Sequence, residues 1–476
     1  MKRMVLVSVT VAALAGSADI AAAQGLNLYI PPDCELDMQH FLVRNAALYV
    51  KAGTEARSPE QRDGAVQDAH RVLLDALEAG EEGNASVWYF LGRNYTLTSD
   101  LAGADSAFRR AEALAPDCAS DIDTHRRFAW VPLYNDGITA MQDGDAEAAA
   151  TALAEANKIA TTEPFIPYYL ASIRLQEQNI QEAVGLFKKM VEMGQSEGEY
   201  EEAYLISLFN AGRLHHMSQQ WDSAAVWYAR YRVVVPDDRD AITGLATVLE
   251  SAGRIGEAVT AHDTVMAHAD VVTALDLFST GVSLFRYERF ERAIRAFNLG
   301  LEKNPYYRDG LFNLTQSYFG IANPSDEPEG TEPTPEEMEV RQEASVEMLA
   351  AAKRLTKIDP FNESSMRLLA AAYQMTGDQD STMAWLERIE MLPYEVTVEQ
   401  FQPSANGYQL RGEVTNLMED PLTIPGLIME FVDAEGKVIE SETFGGDTLD
   451  PEEAASFQFD LVGEGIQAWR YRLNRD

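Results

Sequence analysis

The stretch ASVWYFLGRNYTLTSDLAGADSAFRRAEALAPDC, Ala85 to Cys118, decides the fold. Trp88, Leu91, Gly92 and Tyr95 fall at helical spacing, and so do Ala104, Phe108 and Ala111. Two short antiparallel helices satisfy both sets. Gly92 and Ala104 let the two backbones approach closely, while Trp88, Leu91, Tyr95 and Phe108 fill the space around that contact. Pro116, which has no N–H to donate, stops the second helix before another unit begins.

The frame recurs downstream in units that start near Trp130, Pro164, Leu205, Arg239, Ala274, Arg308 and Glu363. Examples are Gly137, Ala149 and Leu153 in the first of these, and Gly281, Ala293, Phe297 and Pro305 in the fifth, near Ala274. In the unit at Arg308 the second helix is displaced, and a degenerate opening unit spans Leu36 to Gly80. The spacing W-x2-L-G-x2-Y-x8-A-x3-F-x2-A-x4-P of the 85–118 unit resembles the tetratricopeptide repeat (TPR) at every diagnostic position. The resemblance covers residues 36–393 and implies a mostly α fold, a right-handed solenoid of about eight or nine helical hairpins. Extra residues near 119–129, 198–204 and 323–336 are expected in loops. The last of these, NPSDEPEGTEPTPEE from Asn323 to Glu337, is acidic and rich in Pro, and reads as a solvated loop in which Pro324, Pro328, Pro333 and Pro335 prevent helix.

After Pro393 the helical period gives way to alternation, in Val396/Val398, Tyr408 to Asn416, Leu427 to Phe431, Val438 to Phe444, Phe457 to Leu461 and Trp469/Tyr471. Six or so short strands predict a small antiparallel β-sandwich over 394–476. Gly412-x-Val414-x-Asn416, Met429-Glu430-Phe431-Val432-Asp433 and Leu449-Asp450-Pro451 make this segment similar to exported FxLYD-type modules, although Met429 and Val432 stand where that family's name has Phe and Tyr.

Residues 1–23, MKRMVLVSVTVAALAGSADIAAA, read as a cleaved signal peptide: Lys2 and Arg3, an apolar run from Val5 to Ala15, then Ala21-Ala22-Ala23 before Gln24. The expectation is export to the bacterial periplasm or beyond, with no membrane span in the mature chain. Export permits a disulfide between the only two cysteines, Cys34 and Cys118; two separate thiols are the alternative.

The 476 residues carry 76 Asp+Glu against 38 Lys+Arg, a net charge of −38, which repels nucleic acid and anionic lipid. No nucleic-acid partner is expected. The excess over 394–476, 17 acidic residues against 5 basic, and in the Pro-rich loop reads as solubility for a long array. The seven histidines show no metal-ligand spacing; His215 and His262 occupy slots filled by Tyr95 and Phe108 in the 85–118 unit and read as packing residues. No nucleophile-elbow, Walker or dinucleotide-binding segment stands in the context it needs. The chain is expected to be no enzyme and to use no cofactor.

The resemblance supplies a site of another kind. In TPR arrays the first helix of each unit lines the concave face. Its fifth position here reads Tyr89, Tyr134, Tyr168, Phe209, Thr243, Phe278, Phe312 and Arg367. Arg93 and Arg213 fall at ninth positions, Arg286 at a thirteenth, and His216 faces the same way. The resemblance implies a scaffold that lays a peptide or partner protein in this groove, with aromatic anchors and arginines that pair with its carboxylates. The alternative is a polysaccharide-handling accessory whose groove aromatics stack on sugar rings.

Overall fold

A computed structural model describes residues 28–194, 198–324, 333–404 and 407–474. The expected signal peptide lies outside them, as do residues 325–332 of the acidic loop. The chain divides into two compact units, the first ending at Gln220 and the second starting at Trp221.

In the first unit, α1 (Phe41–Thr54) pairs with α2 (Pro59–Glu78), α3 (Ala85–Leu97) with α4 (Leu101–Leu114), α5 (Ala119–Gln142) with α6 (Ala146–Asn157), and α7 (Phe165–Gln176) with α8 (Ile180–Met193). α8 also packs against α9 (Glu201–Met217). The close approach expected at Gly92 is present: a Cβ there would lie 2.6 Å from the Phe108 ring. Gly137 stands in the same relation to Leu153, at 2.7 Å.

Three turns inside the hairpins of the first unit share one construction. In the α3–α4 turn Ser99 adopts the left-handed conformation (φ 59°), the N–H of Asp100 closes on the Tyr95 carbonyl five residues back, and the Asp100 carboxylate then caps α4 by accepting from Gly103 N. One residue thus ends a helix and its neighbour starts the next. Gly144-Asp145 and Gln178-Asn179 repeat the device before α6 and α8. Glycine suits the left-handed position; Ser99 and Gln178 hold it with a Cβ.

The second unit opens with α10 (Trp221–Val234), which packs on α11 (Arg239–Ser251). Four hairpins follow: α11 with α12 (Ile255–Ala267), α13 (Ala274–Arg286) with α14 (Phe290–Lys303), α15 (Arg308–Ala322) with α16 (Pro335–Ile358), and α17 (Glu363–Met375) with α18 (Gln379–Glu390). Eighteen α-helices therefore stand among the described residues, a TPR-like array of hairpins in each unit.

Three expectations about the insertions need correction. Residues 198–204 are not a loop: Gly198–Tyr200 form a 3-10 turn and Glu201 begins α9. Residues 119–129 are not a loop but the first turns of α5, which reaches 24 residues with Pro132 inside it. Pro335 does not prevent helix; it begins α16. At the first helical position the missing proline N–H is one the helix leaves unpaired anyway, and Thr334 and Glu337 close a capping box around it.

The strands are β1 (Tyr394–Ser404), β2 (Gly407–Asn416), β3 (Leu422–Thr423), β4 (Leu427–Val432), β5 (Val438–Phe444), β6 (Thr448–Leu449), β7 (Ala454–Leu461) and β8 (Ala468–Leu473). They form antiparallel sheets ordered β1-β2-β7 and β5-β4-β8, with β3 and β6 as a separate pair. Phe444 and Phe431 of one sheet meet Phe457 and Phe459 of the other, with ring centroids 4.4 and 6.1 Å apart, so the two sheets share an aromatic core. The buried Asn416 amide donates to the carbonyls of Leu449 and Asp450 and so ties the β6 turn to the end of β2. The two-residue strands β3 and β6 are too short to leave an alternating pattern in sequence.

The sandwich docks on the helices of its own unit through polar contacts. The buried carboxylate of Asp359, which follows α16, accepts from Tyr471 Oη at 2.7 Å and from Arg308 Nε at 2.8 Å. Asn304 Nδ2 donates to the Gln467 carbonyl, and Glu395 accepts from Glu363 N at the start of α17. The Phe361 ring lies 4.9 Å from that of Tyr394.

Candidate functional site

Tyr89 and Arg93 stand one turn apart on α3, and Asp121 and His125 one turn apart on α5. The helices bring all four together. Tyr89 Oη donates to Asp121 Oδ2 at 2.6 Å, and His125 Nε2 lies 2.9 Å from the same phenolic oxygen. The phenol has one O–H and donates it in a hydrogen bond to the carboxylate, so Nε2 carries the imidazole proton and donates to the phenol. Burial, helped by the nearby Arg93 charge, pushes the His125 pKa down to about 3. Burial also raises the Tyr89 pKa, against Arg93, which lowers it. A neutral histidine and a neutral tyrosine therefore back the site.

Arg93, only 5% exposed, turns its guanidinium to the chain's own N-terminal segment. Nη1 donates to the Ile30 carbonyl at 2.9 Å, and the guanidinium carbon lies 4.3 Å from the centre of the Tyr29 ring. Further along, Cys34 is joined to Cys118 by a disulfide, and Ser86 Oγ donates to the Asp37 carbonyl at 2.8 Å. Tyr29, Cys34, Leu36 and Met38 pack against the core of the first unit. Residues 28–40 thus form a strap across α3 and the start of α5.

Beside the strap opens a cavity of about 910 Å³. Leu28 and Ile30 form one wall, and Arg57, Arg62, Arg93 and His125 contribute to the others. Arg62 donates to the Leu97 carbonyl, and Arg57 has no hydrogen bond or ion pair among the described residues. None of the three arginines pairs with a carboxylate among the described residues, although Asp63 also lines the cavity. In a chain of net charge −38 this is a local concentration of cations.

The other expected groove residues do not join this cluster. Tyr134 and Tyr168 are 4% and 5% exposed, with pKa values raised mainly by burial. Phe278 is stacked on Tyr307 at 4.4 Å, and a Cβ on Gly300 or Gly310 would strike its ring. With Tyr89, these fifth-position rings are packing residues between successive hairpins, and their faces are closed to a sugar ring or a peptide. Phe209, Arg213 and His216 are half-buried on α9, Arg213 bonded to Asn210. Phe312 is half-buried under Arg308, and Arg286 is exposed at the end of α13. His215 and His262 are buried, as their repeat slots require; His262 bonds Thr280 and Glu250.

Sequence reasoning missed Tyr29, Ile30, Arg57, Arg62, Asp121 and His125. The signal available was the i, i+4 pair Asp121/His125 in a segment set aside as an insertion.

No protein-family model matches the chain, and no curated protein matches it. Solved structures with helical hairpins are similar over parts of it. MamA is 18% identical over 40% of this chain and 93% of its own, with a TM-score of 0.25. YrrB, described as a TPR protein with an unusual peptide-binding site, is 17% identical over 38% of this chain and 89% of its own, with a TM-score of 0.31. A tetratricopeptide repeat protein from Parabacteroides merdae is 12% identical over 55% of this chain and 93% of its own, with a TM-score of 0.30. Scores this low add nothing to the argument, and the fold stands on the helix pairs themselves. No described helix is long and apolar enough to cross a membrane.

Proposed function

We propose that the chain is an exported, non-catalytic interaction scaffold that holds an extended peptide of a partner protein against α3 and α5 of its first unit. The observation that carries this reading is the strap: an extended segment already lies there, with its Ile30 carbonyl and Tyr29 ring both on Arg93. Main-chain and aromatic anchoring of this kind is how a groove holds a peptide. The arginine-lined cavity beside the strap offers charge to an acidic side chain or a terminal carboxylate. A cystine fits an oxidising compartment and supports the export reading of residues 1–23. The β-sandwich, with Asn416 in a bracing role, fits an FxLYD-like module of the same setting.

Affinity purification from the native cell, with wild type beside Arg57→Glu/Arg62→Glu and Arg286→Glu, tests the reading. A partner lost with the first variant and kept with the second supports it. A partner retained by both moves the interaction elsewhere.

A further inference from the structure

The strap is held unevenly along its length. From Cys34 onward it is fixed by the disulfide, by Ser86 and Asn84 on the Asp37 carbonyl, and by Leu36 and Met38 in the core. Upstream of Cys34 the Tyr29 ring also packs against the core, but the polar contacts among the described residues all come from two side chains. Arg93 binds Ile30 and Tyr29, and Lys51 lies 5.9 Å from the Tyr29 ring. Pro31 and Pro32 carry no N–H and favour an extended backbone, so these two residues donate no backbone hydrogen bond. Leu28 is 56% exposed at the edge of the cavity. Residues 28–33 are therefore the less firmly held arm of the strap, and the disulfide at Cys34 marks its fixed end.

We infer that Leu28-Tyr29-Ile30-Pro31-Pro32 is a resident ligand in cis, and that the face it covers takes a partner segment of the same chemistry in trans. That segment is extended, with one aromatic residue between aliphatic neighbours, its ring on the Arg93 guanidinium and its following carbonyl on Arg93 Nη1. This rests on the reading of the first unit as a peptide site, and it names both the partner's chemistry and what keeps the site closed. The cystine does not have to open. It leaves the fixed end in place while the arm is displaced, and it keeps the displaced arm nearby as a competitor. A tethered arm meets its own site at an effective concentration on the order of millimolar. A partner succeeds by adding contacts in the cavity beside the arm, which the arm leaves open.

The test uses the full chain with its disulfide closed and a fluorescent hexapeptide, LYIPPD, copied from residues 28–33. Anisotropy titration of the wild type should show no saturation below about 1 mM. Tyr29→Ala, which weakens the arm, should bind the peptide at least tenfold more tightly than wild type, and adding Arg93→Ala should remove that gain. The Cys34→Ser/Cys118→Ser variant keeps every contact residue and loosens the fixed end, so it should also gain binding even if Tyr29→Ala folds poorly. Equal binding by wild type and both opened variants overturns the inference, as does a gain that survives Arg93→Ala. If the opened variants ignore the peptide while the native partner is still lost with Arg57→Glu/Arg62→Glu, the partner chemistry is wrong and the peptide-site reading stands.

Discussion

His125 Nε2 lies 2.9 Å from the Tyr89 hydroxyl, and that hydroxyl donates its hydrogen bond to Asp121. Protonating His125 would add a charge to a buried site beside Arg93, and the imidazole stays neutral down to about pH 3. The unfolded chain takes up that proton near pH 6.5, so between these values it binds more protons than the folded one. The histidine's contribution is present above pH 6.5 and is lost as pH falls. Between pH 6.5 and 5 the loss is roughly 2 kcal/mol. Urea unfolding of wild type and His125→Asn at both pH values checks this: the wild type should lose more stability than the variant, and parallel losses would count against a buried neutral histidine.

The Tyr471–Asp359 bond makes the docked sandwich a second test. Asp359 is buried, and removing the Tyr471 hydroxyl takes away one of its two closest donors. Hydrogen bonds to charged groups contribute about 1.5–3 kcal/mol, so Tyr471→Phe should destabilise the second unit by that amount. Hydrogen exchange should show the loss in both β8 and the α16–α17 connection, whereas a change in β8 alone would mean the sandwich is not braced there.

Backbone geometry predicts the sign of three substitutions. Gly92→Ala drives a Cβ to 2.6 Å from the Phe108 ring, and overpacking of this kind costs about 1–3 kcal/mol. Gly185, inside α8, has nothing within 4 Å of its Cβ position, and Gly185→Ala should gain about 0.5–1 kcal/mol from helix propensity. Gln178→Gly, at φ 62°, should relieve strain and be neutral or stabilising. Thermal melts of the three variants decide it by sign.

The Cys34–Cys118 disulfide closes a loop across 84 positions of sequence. Cys34→Ser/Cys118→Ser should reduce the stability of the first unit by about 2–4 kcal/mol and leave the second unchanged. Limited proteolysis that starts within residues 28–40 is the expected signature, and unchanged resistance there would contradict the strap's dependence on the cystine.

The hairpins were legible because the information in each is local. The Gly92–Phe108 contact spans 16 positions and recurs in the same frame, and the alternation after Pro393 marked six of the eight strands. The site was much less legible. Arg93 stands out in the sequence as a cation at a repeat position, but its partner Ile30 is 63 residues away in a segment with no period to read. Tyr89, Tyr134, Tyr168 and Phe278 occupy a position where one hairpin meets the next, so the same aromatic pattern that suggests a groove is equally produced by packing. Their burial decides between the two. Asp121 and His125 were hidden because an extension of α5 looks, in sequence, like an insertion between repeats.

The central claim is that α3 and α5, beside Arg57 and Arg62, form a peptide-binding face. Photo-crosslinking in the native cell from a benzoyl-phenylalanine at position 57, with position 286 as the comparison, tests it most directly. The account predicts that position 57 captures one defined segment of a partner protein and that position 286 does not. Crosslinks to a single partner from position 286, with none from position 57, would contradict it.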